Sequence, residues 1–486
     1  MATISSAGVG SGLDVNGIIT QLMAIERQPL TALQREETKL TTKVSDVGKL
    51  QGLVSTMRDK AGSLSSSTLW SQTAGSSADA GAVSVTTTNG AAVGSYSVAV
   101  QQLAAAQTVS SRVFTASDTA AQFGPGTLTI ELGTWTGTPT SGFTPKTGAP
   151  AVTVTIDAAD DTLAEVRDKI NAANAGVTAT IVNDASGARL AIRSTATGAE
   201  NGFRISATET VDDGVAANGL SALAYDALGS SQMTRNQSAA NALATINGIA
   251  VESASNTLTN VSDGVTLKLI KTTTAPVEVA VEADTKAIKT VVQDFVKAFN
   301  ELATFIQAQT KYDPNTRLAG AMQGDSLVVG LQRQMRAVLN QSSTASTTFA
   351  RLADVGITMK NDGTLEIKDS ALDNGLANLT ELHKLFAADG VASADSGFMR
   401  RYKELGDILV GADGTFVTRN DSLQDRIKVL NDRQSQLEAR LLATEKRLRD
   451  QYTALDRNMG QLSGLSSYVT QQLQALNNFY TARSNR

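Results

Sequence analysis

The sequence contains no cysteine, one histidine (His383) and few aromatic residues, which make up 4% of the chain. Without cysteine, disulfides, thiolate catalysis, iron–sulfur clusters and cysteine-bound zinc are excluded. A histidine-based triad or metal centre needs partners within hydrogen-bond reach, and the segment around His383 supplies none, which favours a structural role. The scarcity of aromatic residues argues against a deep, aromatic-lined ligand pocket. We therefore predict no cofactor, no metal site and no catalytic activity.

A basic charge excess and long apolar runs are also missing. With 42 Lys and Arg against 47 Asp and Glu, the net charge of −5 lacks the basic footprint of a nucleic-acid-binding protein. No stretch approaches the roughly 18 consecutive apolar residues of a transmembrane helix. The N-terminus lacks the basic and apolar regions of a secretory signal peptide. We predict a chain that binds no nucleic acid, is not embedded in a membrane and, if exported, uses a route that reads no such peptide.

Two short glycine-containing motifs do not indicate a phosphate or calcium site. Gly8-Val9-Gly10-Ser11-Gly12 superficially resembles a phosphate-binding loop, but no strand precedes it. Asp362-Gly363 lacks the alternating oxygen ligands of a calcium loop and is predicted to be a turn.

Both chain ends have the apolar periodicity of helices. Residues 1–16 are rich in Gly and Ser and are predicted to be flexible, and a short helix is predicted from Gly17 until Pro29 interrupts it. A longer helix is predicted over residues 30–64, with apolar positions at steps of three and four.

The final long helix is predicted to begin near Asn420. One extra residue between Leu448 and Tyr452 shifts its heptad register, and a further apolar stripe follows Gly464. Its periodicity predicts a coiled-coil seam formed by Leu423, Ile427, Leu430, Leu437, Leu441, Leu448, Leu455 and Leu462.

Between the helical ends the apolar period changes from about 3.6 to 2, which indicates strands. Asn89-Gly90 predicts a hairpin between the strands on either side of it, and Asn247-Gly248 predicts a second hairpin. Residues 151–194 predict a β-α-β-β unit whose helix opens with a capping box between Thr162 and Glu165.

The predicted fold class is α+β multidomain, in which N- and C-terminal helices form a helical bundle or coiled coil around inserted β-rich domains. The predicted segments are an N-terminal segment (1–29), a helical domain (30–75 and 284–463), an inner β domain (76–111 and 240–283), an outer β-rich domain (112–239) and a C-terminal segment (464–486). The apolar faces of the helices at the two chain ends cannot be buried by those helices alone, because an isolated amphipathic helix is marginal in water. Part of each apolar face is expected to pack into a core within a single chain. For the outermost segments, 13–26 and 468–480, contacts with other molecules are favoured, because apolar residues are dense at ends that usually fray.

Three segments carry a resemblance to a known family. They are Ile4 to Leu30, which contains Gly8-Val9-Gly10-Ser11-Gly12-Leu13-Asp14-Val15; Gly356-Ile357 with Asp362-Gly363-Thr364-Leu365; and Tyr452-Thr453-Ala454-Leu455-Asp456 with Ser467-Tyr468-Val469. In order and spacing they resemble the bacterial flagellar cap family, also called hook-associated protein 2. The 151–194 unit is similar to a repeat shared by caps and flagellins.

The resemblance implies a secreted, homo-oligomeric ring at the distal tip of the flagellar filament, which retains exported flagellin and promotes its folding and insertion. Implied partners are flagellin, hook–filament junction proteins, the flagellar type III export apparatus and an export chaperone. We expect Leu13, Val15, Ile18, Ile19 and Leu22 to contact the filament or another subunit. Leu473, Leu476, Phe479 and Tyr480 are the expected chaperone or partner contacts.

Two alternatives remain at this stage. One is another axial flagellar protein, either flagellin-like or a hook–filament junction protein. The other is an adhesin that binds host glycans through the β domains. Arg189 and Arg193, which flank Leu190 and Ile192 on a predicted strand, offer a possible contact patch, although an ordinary solvated face is favoured.

Overall fold

A computed structural model describes residues 14–115, 123–160, 162–229, 231–315 and 317–484, with side chains described as far as residue 478. The helices are α1 (Val15–Glu26), α2 (Gln28–Leu64), α3 (Ser67–Trp70), α4 (Leu163–Ala172), α5 (Thr285–Thr310), α6 (Ser326–Asn340), α7 (Asp369–Leu376), α8 (Leu379–Ala387), α9 (Phe398–Val410) and α10 (Thr415–Ser484). The strands are β1 (Thr73–Ser77), β2 (Val83–Thr87), β3 (Gly94–Gln102), β4 (Thr108–Ser110), β5 (Gly126–Thr136), β6 (Gly142–Pro145), β7 (Val152–Ile156), β8 (Val177–Asp184), β9 (Gly187–Ser194), β10 (Gly202–Glu209), β11 (Thr234–Gln237), β12 (Ala242–Ile246), β13 (Ile249–Ser253), β14 (Thr257–Ser262), β15 (Val265–Leu269), β16 (Val277–Ala283), β17 (Tyr312–Asp313), β18 (Leu318–Ala319), β19 (Ile357–Met359) and β20 (Leu365–Ile367).

Two compact units divide the chain. The first comprises Met1–Ser67 and Ile288–Arg486 and is mainly helical, whereas the second, Thr68–Ala287, contains β1 to β16. The predicted fold class, helical ends around an inserted β-rich region in an α+β multidomain chain, is confirmed. The first helical segment ends earlier than the predicted residue 75, because β1 begins at Thr73 and belongs to the second unit.

The N-terminal helix begins earlier than predicted. Asp14 is its N-cap, and its side chain accepts a hydrogen bond of 2.9 Å from the backbone N–H of Gly17. The prediction of flexibility is therefore wrong for Val15 and Asn16, whereas residues 1–13, including the Gly8–Gly12 motif, lie outside the described residues. Pro29 lies in the first turn of α2, where its missing N–H leaves no helical bond unmade.

The C-terminal helix is longer than predicted at both ends. It begins at Thr415 rather than near Asn420, and it continues through Gly464 without a break to Ser484. The separation of 464–486 as a segment of its own is therefore wrong for the backbone. A single glycine weakens a helix interior by only about 1 kcal/mol relative to alanine, which the surrounding turns offset.

The inner β core of the second unit consists of two sheets. A five-stranded sheet has the order β1-β16-β3-β12-β13, and a three-stranded sheet has the order β14-β15-β2. The hairpin at Asn247-Gly248, between β12 and β13, is present as predicted. The hairpin at Asn89-Gly90 is a wrong prediction: β2 pairs with β15 and β3 pairs with β16 and β12. The chain does turn there, since Ala91 N donates to Thr88 O, but it crosses from one sheet to the other.

The outer β core is a separate cluster of buried side chains that includes residues of α4 and of the strands β4, β5 and β7 to β10. The predicted β-α-β-β order of β7, α4, β8 and β9 is present, and the capping box between Thr162 and Glu165 is formed. Strand β7 pairs with β5, whereas β8 and β9 form a hairpin in another sheet. The pairing of β10 with β5 organises the stretches around 126–136 and 202–209, for which the sequence offered no clear motif.

A buried carboxyl group on α2 is unsatisfied. Asp46 is 6% exposed, and its Oδ2 atom is buried without a hydrogen-bond partner among the described residues. Burial raises the pKa of Asp46, and the nearby Lys49 charge opposes that rise only in part. A raised folded-state pKa means that this carboxyl group disfavours the folded chain increasingly as the pH rises through its titration range.

Replacing Asp46 with alanine is therefore expected to stabilise the helical unit at pH 7, by about 1 kcal/mol or a few degrees in melting temperature. The gain should shrink as the pH falls towards about 4, and its charge-dependent part should be absent below that pH, where the wild-type carboxyl group is protonated in both states. Thermal unfolding followed by circular dichroism at several pH values measures the effect. Asp59→Ala, at an exposed acid on the same helix, is the matched control for helix propensity. A variant less stable than the wild type at pH 7 would contradict the prediction.

Candidate assembly interface

Helices α2 and α10 form an antiparallel pair within the first unit. Gln434 donates a hydrogen bond of 2.9 Å to Glu37, and further along α10 Glu445 lies 3.7 Å from Arg27. The pairing therefore runs in opposite directions along the two helices. Leu423 and Leu430 of α10 are buried, as are Leu40 and Val47 on α2, so apolar contact holds the pair together.

Helix α1 covers the next part of α10. Val15, Ile19 and Met23 are buried in one cluster with Leu441, and Leu437, Leu448, Tyr452 and Leu30 pack against that cluster. The expectation that Val15 and Ile19 contact another molecule is contradicted by this burial, because both side chains already pack against α10. Ile18 is half-buried and Leu22 is 37% exposed, so these two remain accessible. Leu13 lies outside the described residues.

Beyond Tyr452 the described residues of the chain no longer cover the seam. The steps from Thr444 to Leu448 and from Leu448 to Tyr452 are both four residues, which is a stutter that locally unwinds a coiled coil. After it the apolar residues resume heptad spacing but are 41–63% exposed. These residues, which we call the distal stripe, are Leu455, Met459, Leu462, Leu465, Tyr468, Val469, Leu473 and Leu476.

The predicted seam residues thus fall into three groups. Leu423, Leu430 and Leu441 are buried, Ile427, Leu437 and Leu448 are half-buried, and Leu455 and Leu462 are exposed. Leu473 and Leu476, the expected chaperone contacts, belong to the distal stripe, whereas the side chains of Phe479 and Tyr480 lie outside the described part. Leu465 was not predicted, although its position three residues after Leu462 on the helix was a usable signal.

The distal stripe has the properties of an interface rather than of a solvated face. No charged residue occurs from Asn458 to Ala482, so neither ion pairs nor repulsion would define its partner. Burying eight half-exposed apolar side chains would release on the order of 10 kcal/mol of hydrophobic free energy. Solitary exposed leucines are common on protein surfaces, but a continuous apolar stripe marks a contact surface.

The other candidate sites have weaker chemistry. His383 is half-buried on α8, and burial lowers its pKa. Glu209, Asp212 and Asp213 form the one acidic trio whose oxygens lie within 4.8 Å of each other in the described chain. Their oxygens already accept hydrogen bonds from Ser221, Gly214, Val215 and Asn218, which is typical of a solvated loop.

The two arginines considered as a contact patch lie on β9. Arg193 is exposed, and the guanidinium of Arg189 lies 3.8 Å from the carboxylate of Asp184. Among the described helices, none has the length and hydropathy to cross a bilayer.

Comparisons with known proteins identify the family. Residues 11–107 match the family profile for the flagellar hook-associated protein 2 N-terminus, and residues 239–464 match the profile for its C-terminus. A-type flagellar hook-associated protein 2 from Pseudomonas aeruginosa is 33% identical over 96% of this chain and 97% of its own. The chain belongs to the flagellar hook-associated protein 2 family. The resemblance expected from the terminal motifs is therefore confirmed.

Other family members support the assignment along the whole chain. Flagellar hook-associated protein 2 from Escherichia coli K12 is 32% identical over 98% of this chain and 99% of its own. A crystal structure of three domains of the flagellar cap protein from Escherichia coli has a TM-score of 0.57 and 29% identity, and covers 78% of this chain and 99% of that one. Residues 127–196 match the flagellin hook IN motif, in agreement with the repeat expected at 151–194. These matches do not favour the alternatives of a flagellin-like or hook–filament junction protein.

Proposed function

We propose that this protein is the structural cap of a bacterial flagellar filament, located outside the cell at the distal tip. The single observation that carries the proposal is the similarity of nearly the whole chain to hook-associated protein 2 relatives, together with a solved relative described as a flagellar cap protein. Several copies form a ring, retain exported flagellin at the tip and promote its folding and insertion. The role is structural, since assembly requires binding surfaces and no bond chemistry.

The distal stripe supports this proposal physically. An uncharged helix with apolar residues at heptad spacing is suited to packing against other helices. We propose that it contacts neighbouring subunits or the filament at the tip, together with Ile18 and Leu22 on α1. The buried seam residues Leu423, Leu430 and Leu441 would then hold α10 on its own chain while the helix beyond Tyr452 reaches its partners.

Before export the same stripe would need protection from water. We propose that an export chaperone covers the segment around Leu473 and Leu476 and also binds the following apolar residues Phe479 and Tyr480. The chain would then pass through the flagellar type III export apparatus and meet hook–filament junction proteins before capping. An apolar surface of this size is an aggregation liability in free solution, which gives the chaperone a physical role.

Deleting the gene is expected to leave cells without filaments and to release unpolymerised flagellin into the medium, because nothing then holds subunits at the tip. Electron microscopy of cells and immunoblotting of the medium measure the two effects. Expression of the full chain from a plasmid is the control and should restore both. Normal filaments on the deletion strain would rule out the cap function.

A further inference from the structure

The two sheets of the inner β core do not cover each other fully. Strands β12 and β13 are neighbours in the five-stranded sheet. Ile249 on β13 lies opposite Ile246 on β12, and Val251 lies opposite Ala244. Directly paired residues in an antiparallel sheet lie on the same face. Ile246 and Ala244 are buried on the core face, yet Ile249 is 70% exposed and Val251 is only half-buried. The core face of β13 therefore extends beyond the cover of the three-stranded sheet.

A cleft of about 540 Å³ lies at this uncovered side, between the edge strands β13 and β14. The apolar part of its wall consists of Tyr96, Ile246, Ile249, Val251, Leu258 and Val261. Glu252 is the charged residue among its lining side chains, and its carboxylate already accepts a hydrogen bond of 2.6 Å from Asn241. The segment 254–256 links β13 to β14. The cleft is thus apolar, elongated along two strands and nearly free of unpaired charge.

At two other strand edges in the described chain, an asparagine side chain bonds the strand backbone. Asn171 on α4 bonds both the N–H and the C=O of Ala179 on edge strand β8, at 2.7 and 2.9 Å. Asn300 on α5 does the same to Leu365 on β20, at 2.6 and 2.9 Å. Such amides occupy the backbone groups that another strand would use. Within the described residues, no side-chain amide bonds the backbone of β13 or β14.

Strand β14 is irregular where it borders the cleft. Its register with β15 holds at Thr257, Leu258 and Ser262, so Thr259, Asn260 and Val261 lie outside the regular ladder. Asn260 has a φ of +53°, in the left-handed region that asparagine tolerates. All three of these residues line the cleft. Strand β14 is also an outer strand of its sheet, and an edge strand presents unpaired N–H and C=O groups to an incoming strand.

We propose that this cleft binds an extended segment of an unfolded polypeptide, which adds as a strand beside β14. Side chains alternate between the two faces of a strand, so every second residue of the segment would pack onto Ile246, Ile249 and Val251. The apolar wall and the already bonded Glu252 select a segment whose alternate residues are apolar and whose other residues are uncharged. The inference rests on the proposed function, since subunits that arrive unfolded at a filament tip expose such segments and folded proteins bury them.

The test uses the full-length protein and a fluorescent peptide of about eight residues that alternates valine and threonine, a length that spans either edge strand. A peptide with the same valines and threonines in two blocks is the composition control. Fluorescence anisotropy should show at least about tenfold tighter binding of the alternating peptide, because only alternation places all its valines on one face. Equal affinity for the two peptides would overturn the proposal.

Two protein variants locate the binding. Ile249→Lys should weaken binding of the alternating peptide by at least about tenfold, because the ammonium group of the introduced lysine would lie in the apolar cleft. Ile270→Lys is the matched control, since Ile270 is an exposed isoleucine of the same unit that does not line the cleft. Hydrogen exchange should show new protection within residues 249–262 when the peptide binds. Unchanged binding by Ile249→Lys, or protection elsewhere only, would overturn the assignment.

The outcomes separate this inference from the cap function. If the alternating peptide fails to bind and Ile249→Lys instead changes the oligomeric state, the cleft is a contact between copies of this chain and the proposal is wrong. If the peptide fails to bind while the chain restores filaments to the deletion strain, the cap function stands and only the cleft assignment fails. If the chain does not restore filaments, the cap function fails, whatever the peptide result.

Discussion

Substituting lysine for both Leu462 and Leu473 is expected to abolish filament growth while leaving the fold of the monomer intact. Both side chains belong to the distal stripe and are about 60% exposed, so neither contributes to a core within the chain. In an assembled interface each lysine would place an unpaired ammonium in an apolar contact, at a cost of at least about 2 kcal/mol, so the pair should weaken association about a thousandfold or more. Filament length by electron microscopy and flagellin in the medium are the measurements.

The matched control is the double variant Val429→Lys and Leu442→Lys. These two residues are exposed apolar positions on the same helix but lie outside the distal stripe. The control should support normal filaments, and both doubles should have wild-type circular dichroism. Normal filaments with the Leu462 and Leu473 double variant would exclude the distal stripe as the working interface. Loss of filaments with both doubles would point to a general requirement for the surface of α10.

The same surface can be tested before export. Ending the chain before Gly464 removes Leu465, Tyr468, Val469, Leu473 and Leu476 but keeps the covered part of α10. This truncation should lose chaperone binding in a pull-down assay. Undiminished capture of the chaperone by the truncated chain would contradict the chaperone proposal alone, because capping is measured separately.

Replacing Arg401 with methionine is expected to destabilise the helical unit by about 2 kcal/mol or more, because it removes several hydrogen bonds made by a buried charged group, and each such bond contributes about 1.5–3 kcal/mol. Arg401 lies on α9 and is 5% exposed. Its guanidinium donates to the carbonyls of Ser342, Ala394 and Ser396, at 2.8–3.3 Å, and to the side chain of Gln341 at 3.1 Å. It therefore joins the segment after α6 to the segment before α9.

Burial is the main influence on this guanidinium and lowers the pKa of Arg401, an effect that the negative charges of Asp395 and Glu404 oppose. The ring of Phe398 lies 4.8 Å from the guanidinium carbon, which adds a favourable cation–π contact. Methionine keeps much of the side-chain volume but has neither donor nor charge, so the change removes the hydrogen bonds and the cation–π contact while largely preserving the packing. Chemical denaturation followed by circular dichroism measures the difference in unfolding free energy.

Arg400 is the matched control, because it is the preceding residue on the same helix and its ion pairs with Asp389 and Glu404 lie at the surface. Arg400→Met should change stability by less than about 1 kcal/mol, as is usual for exposed ion pairs. Equal losses for the two variants would show that charge in general, rather than the buried hydrogen bonds of Arg401, stabilises this region.

Local features explain why much of the fold was predictable. The capping box at Thr162 and Glu165, the Asn247-Gly248 hairpin and the alternation of apolar residues in β15 and β16 depend on residues close together in sequence. Helix α9 was not predicted, and its packing depends on Tyr402, which donates a hydrogen bond to Met335 O from a fully buried position. Contacts between distant segments of this kind leave little periodic signal in sequence.

The sequence by itself determined the helical ends, the β-rich middle, the heptad spacing of α10 and, through its terminal motifs, the family. Those properties follow from local periodicity, capping and turn residues, which act within a few residues of the chain. Only the tertiary structure decided that β2 and β3 lie in different sheets and that α1 covers the seam as far as Tyr452. It also decided that Leu455 and Leu462 are uncovered, although their spacing matches that of the buried Leu441. A heptad repeat determines which side chains share one face of the helix. Only the path of the rest of the chain determines which part of that face is covered by other helices and which part is left exposed.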